Sequence, residues 1–274
     1  MIRTHTIMVL LAHSAAAGCA HSLESPKLEI TRFDDGEYIN VEHGELTSPS
    51  LIVRDTRENS GRDLLLIGLH GYGMDERQIA TLLNIDPGTP HVYIAPRGFV
   101  ELDSHSRAWF DIQFEGHGIA VDTVVRRQFL DRLMDYLDGL SEFFGIDRDR
   151  VVVIGYSQGA AGVIDLAISH PDRAAAFVGL AGTVLEPSLP ANSAAYENSV
   201  LFIGHGLRDT AVTVTEMSRH VDRLQDAGMQ IEYREYDMPH VVSTVQRRDV
   251  SEWIALRLGT DESEAEASKA SGGD

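Results

Sequence analysis

The chain is almost without lysine. Of its 23 basic residues only Lys27 and Lys269 are lysines, and they stand against 42 acidic residues and a formal charge of −19. A nucleic-acid partner needs a basic face to meet its phosphates, so that class is excluded. An anionic membrane surface is disfavoured for the same reason. There is one cysteine, Cys19, which excludes an intrachain disulfide and any cysteine-rich zinc site. No HExxH pair is present, and no metal or other cofactor is implied. No apolar run approaches the roughly 18–20 residues of a membrane span, and no internal repeat is visible. What remains, 274 residues with 43% hydrophobic and 24% charged, suits one large α/β domain.

Both ends differ from the middle. "MIRTHTIMVLLAHSAAAGCAHS" places an arginine, an apolar stretch from Ile7 to Ala12 and then small residues ahead of Cys19. Residues 1–19 therefore read as a secretory signal, and "AAGC" resembles a lipobox in which Cys19 is lipidated. On this reading the protein is exported, to the periplasm or to a lipid-anchored position at the cell envelope, with Cys19 as a membrane tether. Without a signal it would be cytoplasmic. Residues 20–27 form a linker. Residues 259–274 are acidic and lack aromatics, the composition of a solvated tail.

Between the ends, residues 28–258, strand and helix patterns alternate. Strands are expected at 28–33, 50–54, 64–69, 91–95, 151–156, 175–180, 199–204 and 230–236. The middle ones are nearly continuous apolar runs, as in strands covered on both faces. Helices are expected at 75–84, 119–144, 158–169, 213–228 and 243–257. In 119–144, Phe129, Leu133, Tyr136, Leu137 and Leu140 recur at helical spacing. Repeated β-α units predict a mostly parallel sheet of about eight strands, flanked by helices and without a large cap domain. Residues 97–118 read as an ordinary loop.

"VVVIGYSQGAAG" (151–162) puts Ser157 between two glycines, at the corner where a strand meets a helix. G-x-S-x-G alone is weak evidence, and a serine N-cap would fit the same corner. The flanking Gly155 and Gly159 favour an elbow that lifts a nucleophilic serine clear of the sheet. Such a serine needs a base, and the base needs an orienting carboxylate. Asp209 follows the strand "SVLFIG", and His240 follows "IEYREY". Both fall at strand carboxyl ends, where open α/β sheets place their sites. Asp165, Asp172 and His220 sit on or beside helices. His205 suits the turn before Asp209, and Asp237 is a weaker substitute carboxylate.

Acyl transfer also requires donors for the developing oxyanion. Gln158 N–H at the helix start is one. Tyr72 N–H in "LHGYGMDE" (69–76) is the other, with Gly71 and Gly73 letting the backbone approach the substrate.

These residues resemble the carboxylesterase/phospholipase group of α/β-hydrolases, which includes the acyl-protein thioesterases. The resemblance rests on "LLLIGLHGYG" (64–73), "IAPRG" (94–98) with "AWFD" (108–111), "GYSQGAAG" (155–162), "HGLRDTAV" (205–212) and "PHVV" (239–242). It covers about residues 49–257 and implies a small, capless α/β-hydrolase fold. It implies Ser157, Asp209 and His240 as the triad, Tyr72 and Gln158 as oxyanion donors, and Trp109 beside the acyl or leaving group. Two residues depart from the family pattern. Pro239 replaces the usual glycine before the histidine, and Thr213 stands where a proline often does. The expected activity is hydrolysis of small carboxylic esters. Lysophospholipase, acyl-thioesterase or a non-catalytic surface binding protein are the alternatives.

Overall fold

A computed structural model describes residues 5–9, 28–32, 38–43, 46–58, 61–115, 118–185 and 200–259. The signal read over residues 1–19, Cys19, the linker at 20–27 and the tail after Gly259 lie outside the described residues, the strand His5–Val9 excepted.

Among the described residues a ten-stranded sheet organises the chain. β1 (His5–Val9), β2 (Leu28–Arg32), β3 (Tyr38–His43) and β4 (Leu46–Asp55) run antiparallel to one another at one edge. β5 (Leu64–Leu69) and β6 (His91–Pro96) are parallel, with β6 antiparallel to β4. Residues 97–120 then form two small antiparallel pairs. They are β7 (Val100–Glu101) with β8 (Arg107–Ala108), and β9 (Gln113–Glu115) with β10 (Gly118–Ala120). The parallel half continues outward from β5 through β11 (Val151–Tyr156), β12 (Ala176–Leu180), β13 (Val200–Gly206) and β14 (Gln230–Tyr236).

All eight expected strands are present. Within the ten-stranded sheet β1 and β3 are additional, as are the two small pairs β7–β10 outside it, and β3 escaped notice because an antiparallel strand with one covered face needs only alternate apolar residues. Ile39 and Val41 supply them, at 0% and 3% exposure.

The helices lie close to expectation: α1 (Glu76–Leu83), α2 (Thr123–Phe144), α3 (Gln158–Ser169), α4 (Val214–Asp226) and α5 (Thr244–Leu258). Most starts have a local cause. Asp75 and Gln78 form a capping box on α1, while Asp122 accepts from Val124 and Val125 N–H and so delays α2 until after β10. Thr213 accepts from Glu216 N–H and caps α4, so the chain starts this helix without a proline.

Side chains of the central strands alternate between two cores. Leu65, Ile67, Val151 and Val153 join α2, α3 and α4 on one face. Leu64, Leu66, Val152 and Ile154 join α1 and α5 on the other. Both faces of β5 and β11 are thus dry, which holds the turns at their carboxyl ends on a rigid base. No described helix is long and apolar enough to cross a membrane.

Candidate active site

β11 ends at Tyr156 and α3 begins at Gln158, leaving Ser157 alone to reverse the chain. Its backbone is at φ 53°, ψ −114°, a region that side-chain-bearing residues seldom occupy and that costs about 1–3 kcal/mol. The surroundings hold it there. Ser157 N–H donates to Leu180 O at 2.9 Å, and Gly159 N–H donates to His70 O at 3.1 Å. Strand and helix meet through Gly155 and Gly159. A Cβ on Gly155 would lie 2.3 Å from Gly159 O, and one on Gly159 would lie 2.3 Å from Leu69 O. Ser157 makes no side-chain capping bond, so the N-cap reading fails.

The Ser157 hydroxyl instead lies 3.0 Å from His240 Nε2. On the far side of the ring, His240 Nδ1 lies 2.7 Å from Asp209 Oδ2. A carboxylate can only accept, so Nδ1 carries the proton and Nε2 presents its lone pair to the serine. Asp209 is fixed in turn. Its Oδ1 accepts Ala211 N–H at 2.9 Å and Val212 N–H at 3.0 Å, and its side chain is fully buried.

His205 is also fully buried and shapes this turn, as its position suggested. Its Nε2–H donates to Val212 O at 2.8 Å and lies 3.6 Å from Asp209 Oδ2. The other candidates fall elsewhere. Asp165 is buried against Arg126, at 2.6 and 2.7 Å, and burial raises its pKa despite that partner. Asp237 is exposed and pairs with Arg208 at 2.8 Å. Asp172 lies in the 3-10 turn Pro171–Arg173, and His220 lies on α4.

Pro239 does not displace the histidine. The loop is secured by bonds that need no N–H at position 239. Val241 N–H donates to Pro239 O at 2.8 Å, and Tyr156 OH donates to His240 O at 2.9 Å. Burial, with Asp209 nearby, pushes the Tyr156 phenol up to about 12, so it remains a donor at any physiological pH.

The turn after β5 carries His70, Gly71, Tyr72 and Gly73. His70 is fully buried, donating from Nδ1 to Gly71 O at 2.8 Å and accepting Gly98 N–H on Nε2 at 2.9 Å. Burial lowers its pKa to about 4, so it is neutral near pH 7 and this pairing persists. Among the described residues, no backbone acceptor takes the N–H of Tyr72 or Gln158. Residues 97–115 are more than a plain loop. Gly73 N–H donates to Arg107 O at 2.9 Å, and Arg107 N–H to Met74 O at 3.0 Å.

A cavity of about 170 Å³ opens at Ser157 and His240, walled by Phe110, Ile112, Ala161, Leu185, Ala211 and Val212. Among the described residues, no Lys, Arg, Asp or Glu lines it. The expectation for Trp109 needs correction. Trp109 is 2% exposed and does not line the cavity; its neighbour Phe110 does. Trp109 stands behind the site, donating from Nε1 to His70 O at 2.8 Å. Sequence reasoning also missed the Gln158 side chain, which accepts Trp109 N–H on Oε1 at 2.9 Å and donates from Nε2 to Phe110 O at 2.7 Å. The signal was the AWFD and SQG motifs together; neither alone shows that they touch. Among the described residues no group of three or more His, Cys, Asp or Glu side chains converges as a metal site.

A serine on a strand-to-helix elbow, with an acid and then a histidine after later parallel strands, defines the α/β-hydrolase class. The chain belongs to the phospholipase/carboxylesterase family, whose model matches residues 55–258. It is 28% identical to MhqD of Bacillus subtilis (strain 168) over 201 residues, 72% of this chain and 94% of that protein. In fold it is similar to the Bacillus cereus carboxylesterase, with TM-score 0.65 and 19% identity over 78% of this chain and 95% of that one. The Zea mays acyl-protein thioesterase 2 gives TM-score 0.62 and 22% identity, covering 77% and 99% of the two chains. The protein is thus an α/β-hydrolase of the esterase and thioesterase type.

Proposed function

We propose that the protein hydrolyses carboxylic esters of short, uncharged acyl groups through an acyl-Ser157 intermediate. One observation carries the reading: the unbroken line from Ser157 Oγ through His240 to Asp209, at 3.0 and 2.7 Å. In the first half-reaction His240 Nε2 takes the Ser157 proton as Oγ attacks the carbonyl carbon. Asp209 stabilises the imidazolium, and the Tyr72 and Gln158 N–H groups meet the oxyanion. His240 then gives the proton to the departing alkoxide, leaving the acyl ester. In the second, His240 deprotonates water, the hydroxide attacks the acyl carbon, and Ser157 leaves with its proton restored.

The cavity sets the acyl group. At about 170 Å³ it is close to the ~150 Å³ apolar cavity that accommodates benzene, which suits about four to six carbons. Its described wall carries no charged side chain, so an anionic group there would lack a partner among the described residues. Thioesters could enter by the same chemistry, because leaving-group preference lies outside the acyl cavity.

The test is kcat/KM on p-nitrophenyl esters from acetate to palmitate. We expect a maximum at butanoate to hexanoate, and a fall of about 10⁴-fold or more in Ser157→Ala. Equal turnover by that variant would reject the nucleophile, and a palmitate maximum would reject the acyl class. Export is proposed as well, with a mature protein that begins at Cys19 and so lacks the edge strand β1; mature protein that retains Met1 would overturn it.

A further inference from the structure

We infer that the Gln158 side chain is a positioning residue that ties acyl-chain recognition to the oxyanion hole. The inference rests on the ester-hydrolase reading above and deepens it. Gln158 is 7% exposed, and both ends of its amide are engaged by the AWFD segment: Oε1 by Trp109 N–H at 2.9 Å, Nε2 by Phe110 O at 2.7 Å. A plain surface helix start has no use for such a buried amide, whose two bonds would be costly to leave half made. The two bonds join segments 48 and 49 residues apart in sequence.

What they join decides the consequence. Gln158 supplies its backbone N–H to the proposed oxyanion hole, and Phe110 is a wall of the acyl cavity. The Phe110 ring is backed by Phe129 at 4.9 Å, so its main chain is what sets its distance from the carbonyl. The other proposed donor is tied into the same frame. Trp109 Nε1–H and Gly159 N–H both donate to His70 O, at 2.8 and 3.1 Å, two residues before Tyr72. A chain long enough to touch Phe110 is thereby held with its carbonyl oxygen against both donors, and its binding is expressed in the transition state. An acetyl group has no chain beyond its methyl to lay against Phe110 and gains least from the tie.

The experiment compares kcat/KM for p-nitrophenyl hexanoate and acetate in wild type, Gln158→Met and Gln158→Glu. Methionine keeps the volume and loses both bonds. Glutamate keeps the acceptor for Trp109 N–H and loses the donor to Phe110 O. We expect the hexanoate-to-acetate ratio to fall about tenfold in Gln158→Met and about threefold or more in Gln158→Glu, chiefly through kcat. In a Phe110→Ala background the same substitutions should leave the ratio within about twofold. A loss equal for both esters would make Gln158 merely structural and overturn the inference. If one variant fails to fold, the other carries the comparison. Wild type inert toward every ester, with no labelling of Ser157 by a fluorophosphonate, would overturn the ester-hydrolase reading and this inference together. Wild type active with an unchanged ratio in the variants would overturn this inference alone.

Discussion

The two halves of the candidate site are built differently. On the serine side, residues from four turns, after β5, after β6, after β8 and after β11, are bound into one another. His70, Trp109 and Gln158 all put buried side chains to backbone groups of a different turn. On the acid and histidine side, the bonds that hold Asp209 are local, and Leu207 and Arg208 N–H join its turn to the histidine turn at Tyr236 O and Met238 O, 2.8 and 3.0 Å. Asp209 accepts from positions two and three residues on, and Pro239 O accepts from Val241. Tyr156 OH and the Ser157–His240–Asp209 line tie that half to the serine side. The first half is therefore held by buried side chains from distant turns, and the second largely by main-chain bonds within and between two neighbouring turns. Perturbing the first should disturb fold and specificity together, whereas perturbing the second should disturb chemistry with the fold intact.

The sharpest test of that contrast is Asp209→Asn. We expect kcat to fall about 10⁴-fold, because an amide can hold the wrong tautomer of His240, with a Tm within a few degrees of wild type. Gly159→Ala should do the opposite. Its Cβ would meet Leu69 O at 2.3 Å, so denaturant unfolding should show a loss of about 3 kcal/mol before any kinetic effect is assignable.

The serine side should also carry a pH signature. His70 titrates at about 4 when folded and near 6.5 when unfolded, so below 6.5 the unfolded chain binds a proton that the folded one refuses. Its contribution is complete above 6.5 and lost as pH falls toward 4, about 3 kcal/mol in all. Urea titrations across that range should show this slope, and His70→Asn should lack it.

Tyr156→Phe, which removes the donor to His240 O, should cost three- to tenfold in kcat. Asp237→Asn, exposed and paired among the described residues to Arg208, should change kcat/KM by less than about twofold. A large effect there would mean that the acid side reaches further than Asp209.

Much of the molecule was legible in its residues. Period-two and continuous apolar runs located the parallel strands, because strands covered on both faces must be apolar throughout. G-x-S-x-G marked the elbow, since only glycine allows helix and strand so close. Asp209 and His240 were legible because each lies just beyond a strand that the parallel order places on the same edge. β3 was not, as two apolar residues in six are too few to stand out. Trp109 was assigned to the substrate because a motif fixes which residues are near a site, not which of two neighbours turns inward.

The sequence by itself determined the family and set out the proposed chemistry: a serine, an acid and a histidine at strand ends, beside glycine-bearing turns. Those are matters of residue type and local spacing. Only the tertiary structure decided that Pro239 leaves His240 within 3.0 Å of Ser157, that Phe110 walls the cavity, and that Gln158 spans the gap to hold it. Each depends on where side chains from distant turns meet, and that is set by the packing of the two cores around the sheet.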